Sequence, residues 1–229
     1  MKIVTVVGSP KGLEGFTGPL VTGILEAAQS AGAETQMLSL KDLSVLPCKG
    51  CLHICNVVGK CHQRDDFETV QNTLLEADGI ILATPVYFFN VSAQMKALID
   101  RLNLVYHCQK FKGKYGAVVV TCGGSDPEDV VSYLSRILTN FGLWNVGDIC
   151  AVRAQLEDAD ERAELMQSAA ALGNRMVEAI RNREKFPQQE DELNLAFETI
   201  KFMVTMLKEE WPFALDYWNR HWGLAEEKA

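Results

Sequence analysis

No stretch of this 229-residue chain approaches the ~18–20 consecutive apolar residues that a membrane-spanning helix needs, and no run is rich in Lys and Arg. With 22 basic against 30 acidic residues the net charge is −8, so nothing clusters to offset phosphate charge. That excludes nucleic acid and anionic membrane surfaces as expected partners. Internal repeats and low-complexity tracts are missing as well. The run after Met1, Lys2 to Gly8, is too short and too quickly ended by a loop to read as the apolar core of a signal peptide. The expected compartment is therefore the reducing cytoplasm. Seven cysteines in that setting more often bind metal or do redox work than form structural disulfides.

What is present is an alternation of buried strands and amphipathic helices. Ile3 to Val7 is a continuous β-branched run, the pattern of a strand covered on both faces. Leu20, Val21, Ile24, Leu25 and Ala28 recur at helical spacing between Thr17 and Ala31. Thr35–Leu40 reads as a second strand, followed by a Cys-rich loop and then Asp65-Asp66 as the N-cap of a helix over Phe67–Ala77. Gly79–Thr84, Tyr115–Cys122 and a segment within Val146–Val152 supply three further strands. Helices are expected over Ser92–Leu104, Pro127–Phe141 and within 158–183. Strands separated by helices throughout predict a doubly wound, five-stranded parallel sheet. After residue 186 the character changes. Pro187–Glu192 reads as a polar linker. Leu193–Leu207 then carries apolar residues around much of its circumference, and three of the four tryptophans follow it. Residues 187–229 are read as a helical arm for oligomerisation or docking; the alternative is packing on the chain's own first domain, 1–186.

Ligands of open α/β sheets bind beyond the carboxyl ends of the strands, and four loops there carry chemistry. The first, Gly8-Ser9-Pro10-Lys11-Gly12 through Gly15-Phe16-Thr17-Gly18, offers hydroxyls at Ser9 and Thr17, the Lys11 ammonium and the amides of a helix N-terminus. Together they suit a phosphate dianion. Neither the Gly-x-Gly-x-x-Gly dinucleotide fingerprint nor the Gly-Lys-Ser/Thr ending of a P-loop occurs there. The second, Thr84-Pro85-Val86-Tyr87-Phe88-Phe89-Asn90, can hold a flat ring and bond its edge. The third, Thr121-Cys122-Gly123-Gly124-Ser125, lets backbone amides approach a ligand closely. Each alone could be an ordinary turn or core cap; the three share an edge. The fourth is Cys48-x2-Cys51-x3-Cys55-x5-Cys61, whose thiolates at such spacing can ligate an iron–sulfur cluster or zinc, with His53 and His62 keeping a mixed zinc site open. Cys108, Cys122 and Cys150 read as buried small side chains.

These motifs, with Gly59-Lys60-Cys61-x3-Asp65-Asp66, Ala77-Asp78-Gly79-Ile80, Ser92-Ala93-Gln94-x-Lys96 and Asp100-Arg101, span residues 1–125. In combination they resemble the NADPH-dependent FMN reductase superfamily, and more narrowly its iron–sulfur flavoprotein branch. The resemblance implies a flavodoxin-like fold and noncovalent FMN. Its phosphate would meet Ser9, Lys11, Thr17 and Gly18. Its ring would meet Pro85, Val86, Tyr87, Phe88 and Asn90, together with Thr121, Gly123 and Gly124. The resemblance also implies a dimer or tetramer with flavin sites near subunit interfaces. Two departures stand out. Phe16 occupies the place of the usual Asn in the phosphate loop, and three residues rather than two separate Cys51 from Cys55, which in a tight loop would redirect a thiolate.

The expected function is an FMN-dependent oxidoreductase in which the flavin does the chemistry, so no catalytic side chain is named. With a 4Fe–4S cluster on Cys48, Cys51, Cys55 and Cys61 it would relay electrons from a ferredoxin-like donor. Without one it would be an NAD(P)H-dependent reductase of flavin, quinone or another small acceptor. The rival of another class is a non-enzymatic binding module stabilised by zinc; a plain flavodoxin-type carrier fits neither the cysteine loop nor the tail.

Overall fold

Ile3, Val4, Val6 and Val7 are fully buried in β1 (Lys2–Val7), as a β-branched run covered on both faces must be. The computed structural model describes residues 1–124 and 127–224, apart from the side chains of Leu52 and His53; Ser125 and the last five residues therefore lie outside the described residues. After β1 come α1 (Thr17–Ser30), β2 (Glu34–Ser39), α2 (Leu52–Val58), α3 (Phe67–Glu76), β3 (Gly79–Tyr87), β4 (Asn90–Val91), α4 (Ala93–Arg101) and α5 (Asn103–His107). The second half comprises β5 (Tyr115–Cys122), α6 (Pro127–Asn140), β6 (Trp144–Val152), α7 (Arg153–Glu157), α8 (Ala159–Asn182), α9 (Pro187–Met206) and α10 (Pro212–Trp222).

The sheet runs β2-β1-β3-β5-β6, all five strands parallel, as the alternating pattern predicts. Val6 lies beside Leu38 and Leu82, and Leu82 beside Val118, so all strand carboxyl ends share one edge. Alternate residues feed two cores. Val4, Val6, Leu82 and Val118 pack with α3 to α6 on one face. Ile3, Val7, Ile81 and Val119 pack with α1 and α8 on the other. The third strand is longer than expected: it continues to Tyr87 and turns back into β4, pairing Tyr87 with Asn90.

Two local expectations change. Asp66 occupies the N-cap of α3 but makes no capping bond with its side chain. Its carboxylate instead accepts from the Ser44 amide at 2.7 Å, while Asp65 accepts from Phe67 at 3.2 Å and from Leu46 at 2.9 Å. Both carboxylates tie the helix to the chain leaving β2. The expected helix over 92–104 is broken at Leu102 into α4 and α5.

The polar stretch after Phe186 is not a linker. Pro187 starts α9, which suits a residue with no amide to satisfy and a preset φ, and the Gln189 side chain bonds both backbone groups of Asn145 at 2.8 and 2.9 Å. Ile200 and Val204 of α9 bury against Leu104 and Cys108 of the sheet domain, together with Trp211 and Trp218. The arm is pinned by hydrogen bonds as well: Trp218 Nε1 donates to His107 O at 2.7 Å and Trp222 Nε1 to Cys108 O at 3.0 Å. The opposite face of α9 leaves Leu195, Phe202 and Met206 65–70% exposed. The own-domain packing weighed above thus describes one face of the arm only.

The His107 ring stacks on Trp211 at 4.2 Å, with Nδ1 3.1 Å from Asn56 Oδ1, and burial lowers its pKa to about 4. An unfolded histidine takes up its proton nearer pH 6.5, so the unfolded state binds more protons between those values. Stability should fall as pH drops from 6.5 towards 4, by about 3 kcal/mol in total from this residue. Urea unfolding at stepped pH should show a slope that His107→Gln flattens; parallel slopes for wild type and variant would remove His107 as its source.

Ser92 ties the sheet edge together. Its buried hydroxyl donates to Gly8 O at 2.5 Å and accepts from Met95 N at 3.2 Å as the N-cap of α4; its amide donates to Thr84 Oγ1 at 3.1 Å. Ser92→Ala should destabilise by about 2–3 kcal/mol, the lost cap plus a buried carbonyl left without its donor. A urea midpoint within error of wild type would contradict this.

Candidate functional site

The chain leaving β1 turns tightly before entering α1. A Cβ on Gly18 would sit 2.0 Å from Leu13 O, so only glycine lets the first turn of α1 press against the preceding loop. Gly18 N donates to Gly15 O at 3.1 Å. At the N-cap of α1, Phe16 supplies no side-chain bond. Its ring is 42% exposed, with the Arg153 guanidinium 5.5 Å from its centroid. Phe16 therefore leaves the positive end of α1 without a side-chain cap and open to an anion.

This helix end opens on a cavity of about 550 Å³. Ser9, Lys11 and Thr17 line it from the first loop, Pro85, Val86 and Tyr87 from the second, Thr121 and Gly123 from the third. Thr17 and Thr121 share a buried hydroxyl–hydroxyl bond of 2.7 Å, which locks the first loop to the third. Ser9 Oγ accepts from Lys11 N at 3.2 Å and shapes the turn that carries the lysine. Three loops separated by more than 30 residues in sequence thus form one cavity.

Four expected residues stand elsewhere. Gly18 is spent on the turn just described. The Asn90 side chain accepts from Val91 N at 2.8 Å, and Gly124 N donates to Cys122 Sγ at 3.3 Å. Phe88 stands at the tip of the β3–β4 turn, 96% exposed, beside Phe89 at 73%. Both have left-handed backbone, φ +50° and +65°, which a two-residue hairpin demands and for which bulky residues are poorly suited. The strain keeps two aromatic rings pointing outward beside the cavity.

Sequence reasoning missed Arg162, which also lines the cavity. Its one signal was a cation in the opening turns of α8, against the helix dipole. It missed Cys122 as well: the residue is half-buried in the cavity wall rather than a core side chain. Cys150 is likewise half-buried, and Cys108 is fully buried with its thiol pushed up to about 12 by desolvation.

The four clustered cysteines line a second, separate cavity with His62, Arg101 and Asn103. Here the extra residue of the Cys51-x3-Cys55 spacing has a different effect from the one expected. The segment is not a tight loop but the helix α2, with Cys51 at its N-cap, and the four-residue step places Cys51 and Cys55 on one helical face. Cys51 Sγ lies 3.6 Å from His62 Nδ1, and Cys55 Sγ accepts from Asn103 Nδ2 at 3.7 Å. Burial raises the Cys55 pKa above the ordinary thiol value. Among the described residues no three His, Cys, Asp or Glu side chains converge as a single metal ion requires; the His53 side chain lies outside that description. The cavity that the thiols share with His62, Arg101 and Asn103 holds about 20 Å³. Four sulfurs around a common space suit a many-atomed cluster in donor chemistry, but admitting one requires the loop to move outward.

Residues 1–157 match the NADPH-dependent FMN reductase family. The chain belongs to that family. An iron–sulfur flavoprotein of Archaeoglobus fulgidus is 32% identical over 209 residues, covering 91% of this chain and 91% of that protein. Another from Methanocaldococcus jannaschii is 42% identical over 119 residues, 52% of this chain and 61% of that protein. The fold is shared with an FMN-dependent NADH-azoreductase of Bacillus anthracis solved with FMN, at TM-score 0.61 and 14% identity over 77% of this chain and all of that one. The chain is a flavin-dependent oxidoreductase with a flavodoxin-like fold, and no helix among the described residues is long and apolar enough to cross a membrane. The strand-end cavity fits FMN: it joins an uncapped helix end and two cations to a wall of apolar and amide groups. Arg162→Ala should weaken FMN binding by roughly tenfold, the scale of one charge-assisted hydrogen bond. Flavin-fluorescence titration reads this directly, and an unchanged Kd would remove Arg162 from the phosphate site.

Proposed function

We propose that FMN binds with its phosphate at the α1 N-terminus against Ser9, Lys11, Thr17 and Arg162, and its ring between Pro85–Tyr87 and Thr121–Gly123. The observation that carries this reading is the convergence of three strand-end loops on one cavity at an uncapped helix end. Lys11 and Arg162 neutralise the phosphate within a chain of net charge −8. The Thr17–Thr121 bond holds the two loops at fixed separation, so the site is preorganised before the ligand arrives. Bound FMN supplies hydride and one-electron chemistry; the chain supplies orientation, exclusion of water from the buried end and the ring's hydrogen-bond partners. NAD(P)H is the proposed hydride source.

The second cavity favours a further partner. Cys48, Cys51, Cys55 and Cys61 would hold a 4Fe–4S cluster, giving a one-electron route to FMN from a ferredoxin-like protein. The support is the donor set, the shared helical face of Cys51 and Cys55, and the iron–sulfur flavoprotein names of the two relatives. The small volume of this cavity favours the second reading, an NAD(P)H-dependent reductase without a cluster. A reducing compartment such as the cytoplasm keeps these thiols available. The exposed stripe of Leu195, Phe202 and Met206 on α9 is proposed as the contact of a homodimer or homotetramer.

Anaerobically purified protein should carry one extractable FMN and, under the cluster reading, ~4 iron and ~4 sulfide per chain. Cys51→Ala should abolish the iron–sulfur spectrum and leave FMN in place. Protein that cannot be reconstituted with FMN would sink the first proposal, and iron that stays substoichiometric after reconstitution the second. Light scattering on the same sample reads assembly; a monomer would remove the role given to the stripe.

A further inference from the structure

Arg101 ends α4 away from the FMN cavity, its side chain only 1% exposed and that of its partner Asp65 2%. The two form a bidentate pair at 2.8 and 3.0 Å. Arg101 also donates to Leu46 O at 2.9 Å, and its guanidinium carbon lies 4.4 Å from the centre of the Phe67 ring. Asp65 closes the triangle by accepting from Leu46 N at 2.9 Å. Leu46 lies just before Cys48 and Asp65 just after Cys61, so one guanidinium joins the two ends of the cysteine segment. The same side chain lines the cavity of the four thiols, Cys61 among them. Its Nε–H has no partner among the described residues, which leaves one donor in hand.

A buried ion pair is weak evidence for stability, because desolvation offsets much of the attraction. A pair that served packing alone would need neither the third bond to Leu46 nor a thiol neighbour. We propose that Arg101 is a positioning residue for the cysteine site: it clamps both ends of the 46–65 segment, and its unpartnered Nε–H is the donor available to the neighbouring Cys61 sulfur in the shared cavity. The middle of the segment then stays free to move outward around a guest while its ends remain fixed. The clamp rests on the bonds to Asp65 and Leu46 whatever the thiols hold; its redox consequence rests on the cluster reading. There, an N–H···S bond to a ligating thiolate raises the reduction potential.

The test uses two variants. Arg101→Lys keeps the charge and loses the fork. The double variant Arg101→Gln with Asp65→Asn removes both charges and leaves neither one buried alone. In reduced, metal-free, FMN-loaded protein, labelling by N-ethylmaleimide is followed cysteine by cysteine by peptide mass mapping. Both variants should label Cys61 at least several-fold faster than wild type, with Cys150 labelling and FMN affinity unchanged. In iron-loaded protein, Arg101→Lys should shift the cluster's midpoint potential to more negative values and alter its electron paramagnetic resonance line shape. Unchanged Cys61 labelling in variants that still bind FMN would overturn the clamp. An unchanged potential with faster labelling would overturn the N–H···S bond. Failure of wild type to take up iron would sink the cluster reading, and the labelling result would still decide the clamp.

Discussion

The Ser92 hydroxyl holds together the edge on which everything else is built. It bonds the Gly8 carbonyl just beyond β1, caps α4, and its residue's amide reaches the hydroxyl of Thr84 on β3. The join is tight: a Cβ on Gly8 would lie 2.8 Å from Met95 Cβ, so the backbone beyond β1 rests directly on α4. Without this junction, the phosphate loop and the aromatic hairpin would be two independent turns. With it they are fixed relative to one another, and the Thr17–Thr121 bond adds the third loop to the same frame.

The same helix carries the second site. Ser92 caps the start of α4 and Arg101 closes its end, nine residues on. At 1.5 Å per residue the helix is a rod of about 13 Å. One end holds the first strand-end loop through Gly8 and the other clasps the cysteine segment. A rigid spacer between a flavin and a thiol site is a direct structural means of coupling their placement, and loops alone would not supply it.

Charge completes the arrangement. The chain is acidic overall, yet Lys11 and Arg162 line one cavity at the open end of α1 and Arg101 is buried beside the cysteines. Glu14, the acid that lines the same cavity, pairs with Lys41 at 3.3 Å. The C-terminal arm contributes from the far side, its tryptophans hydrogen-bonded to the carbonyls of His107 and Cys108, beneath the helix that bears Cys51 and Cys55.

What the sequence determined by itself was whatever local periodicity encodes. The β-branched run of β1, the helical spacing of α1 and the βα alternation gave the parallel sheet and its edge, and the turn residues at Gly8–Lys11 and Gly123–Gly124 marked its loops. These signals lie within a few residues, where propensity and pattern act. Tertiary structure decided what depends on partners far along the chain. Ser92 finding Gly8, Arg101 finding Asp65 and Leu46, and Arg162 arriving from α8 leave no local trace. The tip of the β3–β4 hairpin carried Phe88 out to solvent and off the cavity wall, because the turn's handedness, not its composition, aims the side chain. The cysteine spacing shows the division most clearly. Counted as a loop, the extra residue misdirects a thiolate; wound into α2, the same residue brings Cys55 onto the face of Cys51, since the step between side chains is set by the backbone that carries them.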